Sequence, residues 1–199
     1  RQVKNQMTII NDQMGQQILD DIGGNLYGKI PNKKREFRFY LVNNKDINAF
    51  ALPGGLIFLT YPLFNLIHQS PDEVAFVLAH EMMHVVFKHP IKQIFANYSM
   101  RFITTVLTRG GSLGSVAEQM LGSLLKSAYS QENEFEADEY AVRLMYSAGF
   151  NPSGSKSLLR KLKKTSNEQL SIYNYFLSHP PIDDRIDKID SLMKKRGIK

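Results

Sequence analysis

The stretch from Pro71 to Lys88 constrains this chain most, because it is apolar on most faces and yet carries histidine and glutamate in its second half. Its start is clearly punctuated. Ser70 can cap a helix, Pro71 suits the first helical position, and Glu73, three residues after Ser70, completes a capping box. A helix this hydrophobic has to run buried through the middle of a domain, and it should end before Pro90.

That helix contains His80-Glu81-Met82-Met83-His84. With five histidines and nine glutamates in the chain, chance supplies this arrangement about 0.006 times per chain. Residues four apart sit one above the other on a helix, so two imidazoles converge on one ion while the adjacent Glu81 reaches its open side. A catalytic zinc usually takes three protein ligands, so a third donor is required. A histidine six residues after His84 is excluded, since Pro90 stands there and Phe87 occupies the position that motif reserves for glycine. His89 is nearer, but five residues turn an ideal helix to about 140° from His84. It therefore reads as a helix-end histidine favoured by the negative dipole pole, and His68 reads as a surface residue.

The remaining source is a carboxylate on another helix, in the run Glu132-Asn133-Glu134-Phe135-Glu136-Ala137-Asp138. Glu134 and Asp138 share a face at four-residue spacing. Such a pair provides a ligand and, one turn on, an acid able to hydrogen-bond the outer nitrogen of a ligating histidine and fix its tautomer. Glu132, Glu136 and Glu139 read as a solvated face.

Around these helices the pattern is mixed. Val3 to Ile22 has helical spacing with Gly23-Gly24 as a stop, and Glu36 to Val42 alternates as a half-buried strand. Ile47 to Leu52 and Leu56 to Thr60 read as two strands around Pro53-Gly54-Gly55. Helical spacing continues from Ile91 to about Leu107, resumes from about Val116 to Ala148 after Gly110, Gly111 and Gly114, and returns in Ser153 to Leu162 and Ile182 to Lys195. The glycine-rich joint reads as a flexible connection within a core helix pair, with a lid or membrane-touching hairpin as the alternative. The expectation is one α+β domain over residues 1–199, mostly helical with a small antiparallel sheet.

Composition narrows the function. The chain has no cysteine, which excludes disulfide scaffolds and Cys-ligated zinc. Its net charge of +6 is concentrated in Lys33-Lys34-Arg35, in Arg160 to Lys164 and in Lys194 to Lys199. None of these interleaves with stacking aromatics, so they read as solvated helix faces or contacts to an anionic surface, and no nucleic-acid partner is expected. The longest apolar stretch, Leu56 to Ile67, is broken by Thr60, Pro62 and Asn65 and falls short of the roughly 18 residues of a membrane span. A chain beginning with Arg1 reads as a mature or trimmed fragment, compatible with a removed signal peptide or lipid anchor.

Four landmarks together resemble metallopeptidase family forty-eight: His80-Glu81-Met82-Met83-His84, the Glu134 to Asp138 run, Asn48 to Gly55, and Ser178-His179-Pro180-Pro181 with Arg185. They stand in the family's order. The family is a gluzincin group that includes the membrane-embedded HtpX and CAAX prenyl endopeptidases, the mitochondrial Oma-type proteases and soluble envelope proteases such as BepA and LoiP. The absence of a spanning segment makes this chain similar to the soluble branch. Tyr61-Pro62 departs from the family, where many members carry a glycine-containing turn.

The resemblance implies a zinc endopeptidase with one Zn2+ per chain, held by His80, His84 and Glu134, with Asp138 orienting His80 or its neighbour. Glu81 would act as general base toward a zinc-activated water. His179 would stabilise the oxyanion or occupy the fourth zinc position at rest. Asn48, Ala49 and Phe50 would lie on an edge strand that pairs with extended peptide, and Arg185 would brace the His179 loop or face substrate. The substrates implied are unfolded or misassembled polypeptides, in an extracytoplasmic, membrane-peripheral setting such as the periplasm. The rival reading is a zinc-containing chaperone-like or membrane-peripheral binding module with little proteolysis.

Overall fold

The computed structural model describes residues 8–31, 35–97, 129–166, 179 and 182–198. The expected helix from Ile91 to Leu107 is described only as far as Asn97. The glycine-rich joint, residues 116–128 of the helical stretch expected from Val116 to Ala148, and Ser178, Pro180 and Pro181 lie outside the described residues.

The chain begins with a two-residue strand, β1 (Thr8–Ile9), and then enters α1 (Gln13–Gly28). Asp12 opens this helix, its Oδ1 accepting the Gly15 N–H at 2.9 Å. Helical spacing alone placed the start near Val3, but the Asp12 cap sets it ten residues later. Nor does Gly23-Gly24 stop the helix. A Cβ on Gly23 would lie 2.2 Å from the Phe39 ring, so this glycine lets a strand aromatic pack onto the helix backbone.

Three strands follow, β2 (Arg38–Asn43), β3 (Ala49–Leu52) and β4 (Leu56–Thr60), in the spatial order β1-β2-β4-β3. The sheet is small, as expected, but mixed rather than antiparallel, because β2 and β4 run parallel. The Pro53-Gly54-Gly55 turn explains this. It folds β4 back antiparallel on β3, and β4 then occupies the slot beside β2, leaving β3 at the edge. Gly55 has φ +90°, and a Cβ there would meet the Glu36 carbonyl oxygen at 2.0 Å. Phe39, Leu41, Ile57, Leu59, Ala49 and Ala51 are buried in the core, whereas Tyr40, Phe58 and Phe50 stack in a row on the opposite face.

Tyr61-Pro62, the departure from the family, starts a short helix, α2 (Tyr61–Ile67), with proline in its first turn. Then comes α3 (Pro71–Val86), in which every residue from Glu73 to Val85 is buried. Ser70 Oγ accepts the Glu73 N–H at 3.4 Å, but the capping box is only half made. Glu73 turns away, accepting instead from Ser157 Oγ and Lys161 Nζ, each at 2.6 Å.

After α3 the chain continues through α4 (His89–Asn97), α5 (Gln131–Ser147), α6 (Ser153–Ser166) and α7 (Ile182–Arg196). The central helix α3 packs against α1, α5, α6 and β3, so the fold is α+β with its polar cluster at the core. No described helix is long and apolar enough to cross a membrane.

Candidate metal centre

The site is built where α3 crosses α5. On α3, His80 and His84 point the same way, their Nε2 atoms 3.0 Å apart. From α5, Glu134 meets both, with Oε2 3.5 Å from His80 Nε2 and Oε1 3.2 Å from His84 Nε2. His179 joins them, its Nδ1 3.0 Å from Glu134 Oε1. Four donor atoms, one each from His80, His84, Glu134 and His179, lie within 4.8 Å of one another, and all four residues are buried.

This donor set fits zinc. Tetrahedral ligands at about 2.0–2.2 Å from zinc stand about 3.3–3.5 Å apart, and the His80, His84 and Glu134 atoms stand 3.0–3.5 Å apart. Two imidazoles and a carboxylate also match zinc's preference for nitrogen and oxygen donors. Glu81 Oε2 is buried with no hydrogen-bond partner among the described residues, while its Oε1 is 3.6 Å from His179 Nε2. A carboxylate oxygen so placed is one that a bound group or substrate would complete.

Around the cluster lie two kinds of support. Asp138, one turn beyond Glu134 on α5, brings Oδ1 to 2.9 Å from His80 Nδ1. Arg185 from α7 grips Asp138 with Nε and Nη2 at 2.7 and 2.8 Å and reaches Glu134 Oε2 with Nη1 at 2.9 Å. Arg185 is completely buried, its guanidinium engaged by two carboxylates inside the core.

The other support corrects an expectation. The helix breaks after Val86, with Lys88 at φ +61°, and His89 swings back toward the site instead of lying on the far face. Its Nδ1 lies 3.0 Å from His84 Nδ1 and its Nε2 lies 3.1 Å from Glu136 Oε2. Glu136 is therefore engaged, not merely solvated. Tyr129 stacks on the His84 ring at 4.0 Å between centroids, a contact the sequence reading did not anticipate. The Lys88-His89-Pro90 order held a signal for the break, since a proline there suits the first turn of a new helix.

The edge-strand residues divide. Asn48 has its backbone tied to Thr60, whose Oγ1 accepts the Asn48 N–H and donates to its carbonyl, each at 2.9 Å. Ala49 is buried, and Phe50 is half-buried in the aromatic row. β3 nonetheless ends the sheet, with one side of its backbone unpaired by other described strands.

The electrostatics separate the two helical histidines. Burial and the Arg185 charge depress His80, but Glu134 and Asp138 outweigh both and raise its pKa to about 9. Burial dominates at His84 and lowers it to about 3. Burial pushes Glu81 upward, whereas Glu134 and Asp138 are held below the ordinary carboxylate range despite their burial, Glu134 by His179, Arg185 and His80 and Asp138 by Arg185 and His80.

Comparison with known proteins agrees with this geometry. The model of Peptidase family M48 matches residues 14–193. The beta-barrel assembly-enhancing protease of Yersinia pestis is 30% identical over 197 residues, covering 94% of this chain and 40% of its own length. Metalloprotease LoiP of Escherichia coli is 30% identical over 187 residues, covering 92% of this chain and 70% of LoiP. The mitochondrial metalloendopeptidase OMA1 of Schizosaccharomyces pombe is 26% identical over 165 residues, 82% of this chain and 49% of its own length. The chain thus spans about two fifths of the length of the first of these relatives.

Proposed function

The chain belongs to peptidase family M48, and from that premise we propose that it is a zinc-dependent endopeptidase acting on unfolded or misassembled polypeptides. The convergence of His80, His84 and Glu134 beside a Glu81 oxygen that has no hydrogen-bond partner among the described residues carries the proposal. His80, His84 and Glu134 would hold one Zn2+, which would supply a Lewis acid for the scissile carbonyl and lower the pKa of water bound to it.

The protein's own residues do the rest. Glu81, whose carboxyl burial raises above the ordinary carboxylate range, takes a proton from the attacking water and returns it to the leaving nitrogen. Asp138 keeps His80 turned with Nε2 inward, and Arg185 holds Asp138 and Glu134 ionised. His179 either donates to the tetrahedral oxyanion or closes the fourth metal position at rest, a reading supported by its 3.6 Å distance from Glu81. The outer edge of β3, at Ala49 and Phe50, supports main-chain pairing with an extended substrate, which is tolerant of sequence. A bacterial envelope setting belongs to the same proposal and rests on the likeness to the envelope branch.

The test is chelation and reconstitution. Stripped protein should cleave casein only after one equivalent of zinc is restored, and His179→Ala then separates the two roles: higher basal cleavage marks a resting ligand, lost cleavage an oxyanion donor. Zinc-loaded protein that holds unfolded casein without cutting it would favour a chaperone-like binding module.

A further inference from the structure

We propose that His89 and Glu136 are positioning residues that hold the inward nitrogen of His84 bare for a metal. The inference rests on the zinc reading above and extends it to residues that touch neither metal nor substrate. Its basis is a chain of three side chains running from the site to the surface. His84 presents Nε2 to His80 and Glu134, so its outer nitrogen is Nδ1, which lies 3.0 Å from His89 Nδ1. The other nitrogen of His89 lies 3.1 Å from Glu136 Oε2.

With Glu136 ionised and His89 neutral, hydrogen counting along this chain leaves one arrangement. An ionised carboxylate accepts and cannot donate, so Glu136 requires the His89 hydrogen on Nε2. Neutral His89 then has a lone pair on Nδ1, and the short Nδ1 to Nδ1 contact requires the hydrogen to come from His84. His84 therefore carries its hydrogen on Nδ1, and its Nε2 lone pair faces the cluster. In the opposite arrangement His89 would turn a lone pair toward Glu136, and His84 would aim a hydrogen into the place a metal would take. The carboxylate at the surface thus sets the tautomer of a ring two side chains away.

Backbone and packing hold the chain in place. Lys88 at φ +61° makes the elbow that returns His89 to the site. Arg35 Nη1 donates to the Val86 carbonyl at 2.9 Å, satisfying an acceptor that the break exposes. Tyr129 covers the His84 ring and limits its rotation. Glu136 is the exposed end, with 43% of its side chain accessible, so it can be changed without opening the core.

Two readouts on the intact chain test this. In zinc competition against a chelator, His89→Ala should bind about 10- to 100-fold more weakly than wild type, the range expected when a ligand's outer partner is lost. His89→Gln, whose amide oxygen can accept from His84 Nδ1, should recover much of that loss, and Glu136→Gln should weaken binding severalfold. Urea unfolding of the metal-free proteins checks that each variant folds. Independently of any metal, nitrogen NMR of metal-free wild type should show His84 protonated on Nδ1, with Nε2 protonation gaining population in Glu136→Gln. Wild type that binds no zinc but shows this tautomer shift would overturn the metal reading and leave the relay standing. Wild-type zinc affinity in both His89→Ala and Glu136→Gln, or an unchanged His84 tautomer in Glu136→Gln, would overturn the relay.

Discussion

His80 and His84 stand one turn apart on the same helix, yet the regions behind them are built on opposite principles. Behind His80 the support is ionic and dry: Asp138 is clamped by a fully buried arginine that also holds Glu134. Behind His84 the support is a second histidine, and the line of hydrogen bonds leads out to a half-exposed glutamate. The consequence is electrostatic. Burial and the Arg185 charge are outweighed by Glu134 and Asp138, which raise His80 to about 9, while burial, with the charge on His80 beside it, drops His84 to about 3 despite Glu134. Spacing alone makes the two histidines look equivalent, and it is the partners on the outer nitrogens that distinguish them.

Breaking the ionic side should have the largest effect. Arg185→Ala leaves Asp138 and Glu134 buried without their cation, and such unpaired charges typically cost about 3–5 kcal/mol. Urea unfolding of the metal-free protein should show that loss, whereas Glu136→Gln on the other side should shift stability by no more than about 0.5 kcal/mol. Equal destabilisation by the two changes would erase the distinction.

Asp138→Asn comes next, with zinc affinity expected to fall about 10- to 100-fold in a chelator competition. A protonated His80 must also release its proton before it can ligate. Zinc affinity should therefore climb by up to about tenfold per pH unit from 6.5 toward 9 and flatten beyond it. A flat profile over that window would mean that His80 is not the protonated partner.

Metal-free stability sharpens the contrast further. His80, raised in the folded state, contributes stability that is complete below its ordinary 6.5 and is lost as pH rises through about 9. His84, lowered in the folded state, does the reverse: acidification below 6.5 favours the unfolded chain, which protonates it more readily. The depressed carboxylates Glu134 and Asp138 add stability above their ordinary range that is lost as pH falls through their lower folded values. Thermal unfolding should peak near neutrality and decline on both sides. In Asp138→Asn the alkaline decline should shrink while the decline just below 6.5 persists. A small effect of the opposite sign is expected at the elbow, where Lys88→Gly relieves a left-handed backbone and should stabilise by about 0.5–1 kcal/mol in the same unfolding assay.

Much of this site was legible in the sequence because it is written in local spacing. Four-residue repeats placed His80 with His84 and Glu134 with Asp138 on shared helix faces, and the apolar surroundings of α3 required burial. What was not legible depended on tertiary packing or on breaks in an element. Gly23 reads as a stop until Phe39 is seen against it. The sheet reads as antiparallel because adjacent strands pair easily in sequence, whereas the insertion of β4 beside β2 is a choice of the whole fold. His89 was misplaced for a simpler reason, since helix geometry was extended past a residue where the helix had already ended. The grip of Arg185 on Asp138 and Glu134 joins residues 47 and 51 positions apart, and no local spacing could show it.

The central claim is that His80, His84 and Glu134 hold one zinc while Glu81 is left to move protons. The most direct measurement is zinc content together with casein cleavage in Glu81→Gln, beside Glu134→Gln as the ligand control. The account predicts that Glu81→Gln keeps one zinc per chain and loses cleavage by about 10²- to 10⁴-fold, while Glu134→Gln loses the metal itself. Cleavage at the wild-type rate by zinc-loaded Glu81→Gln would contradict it.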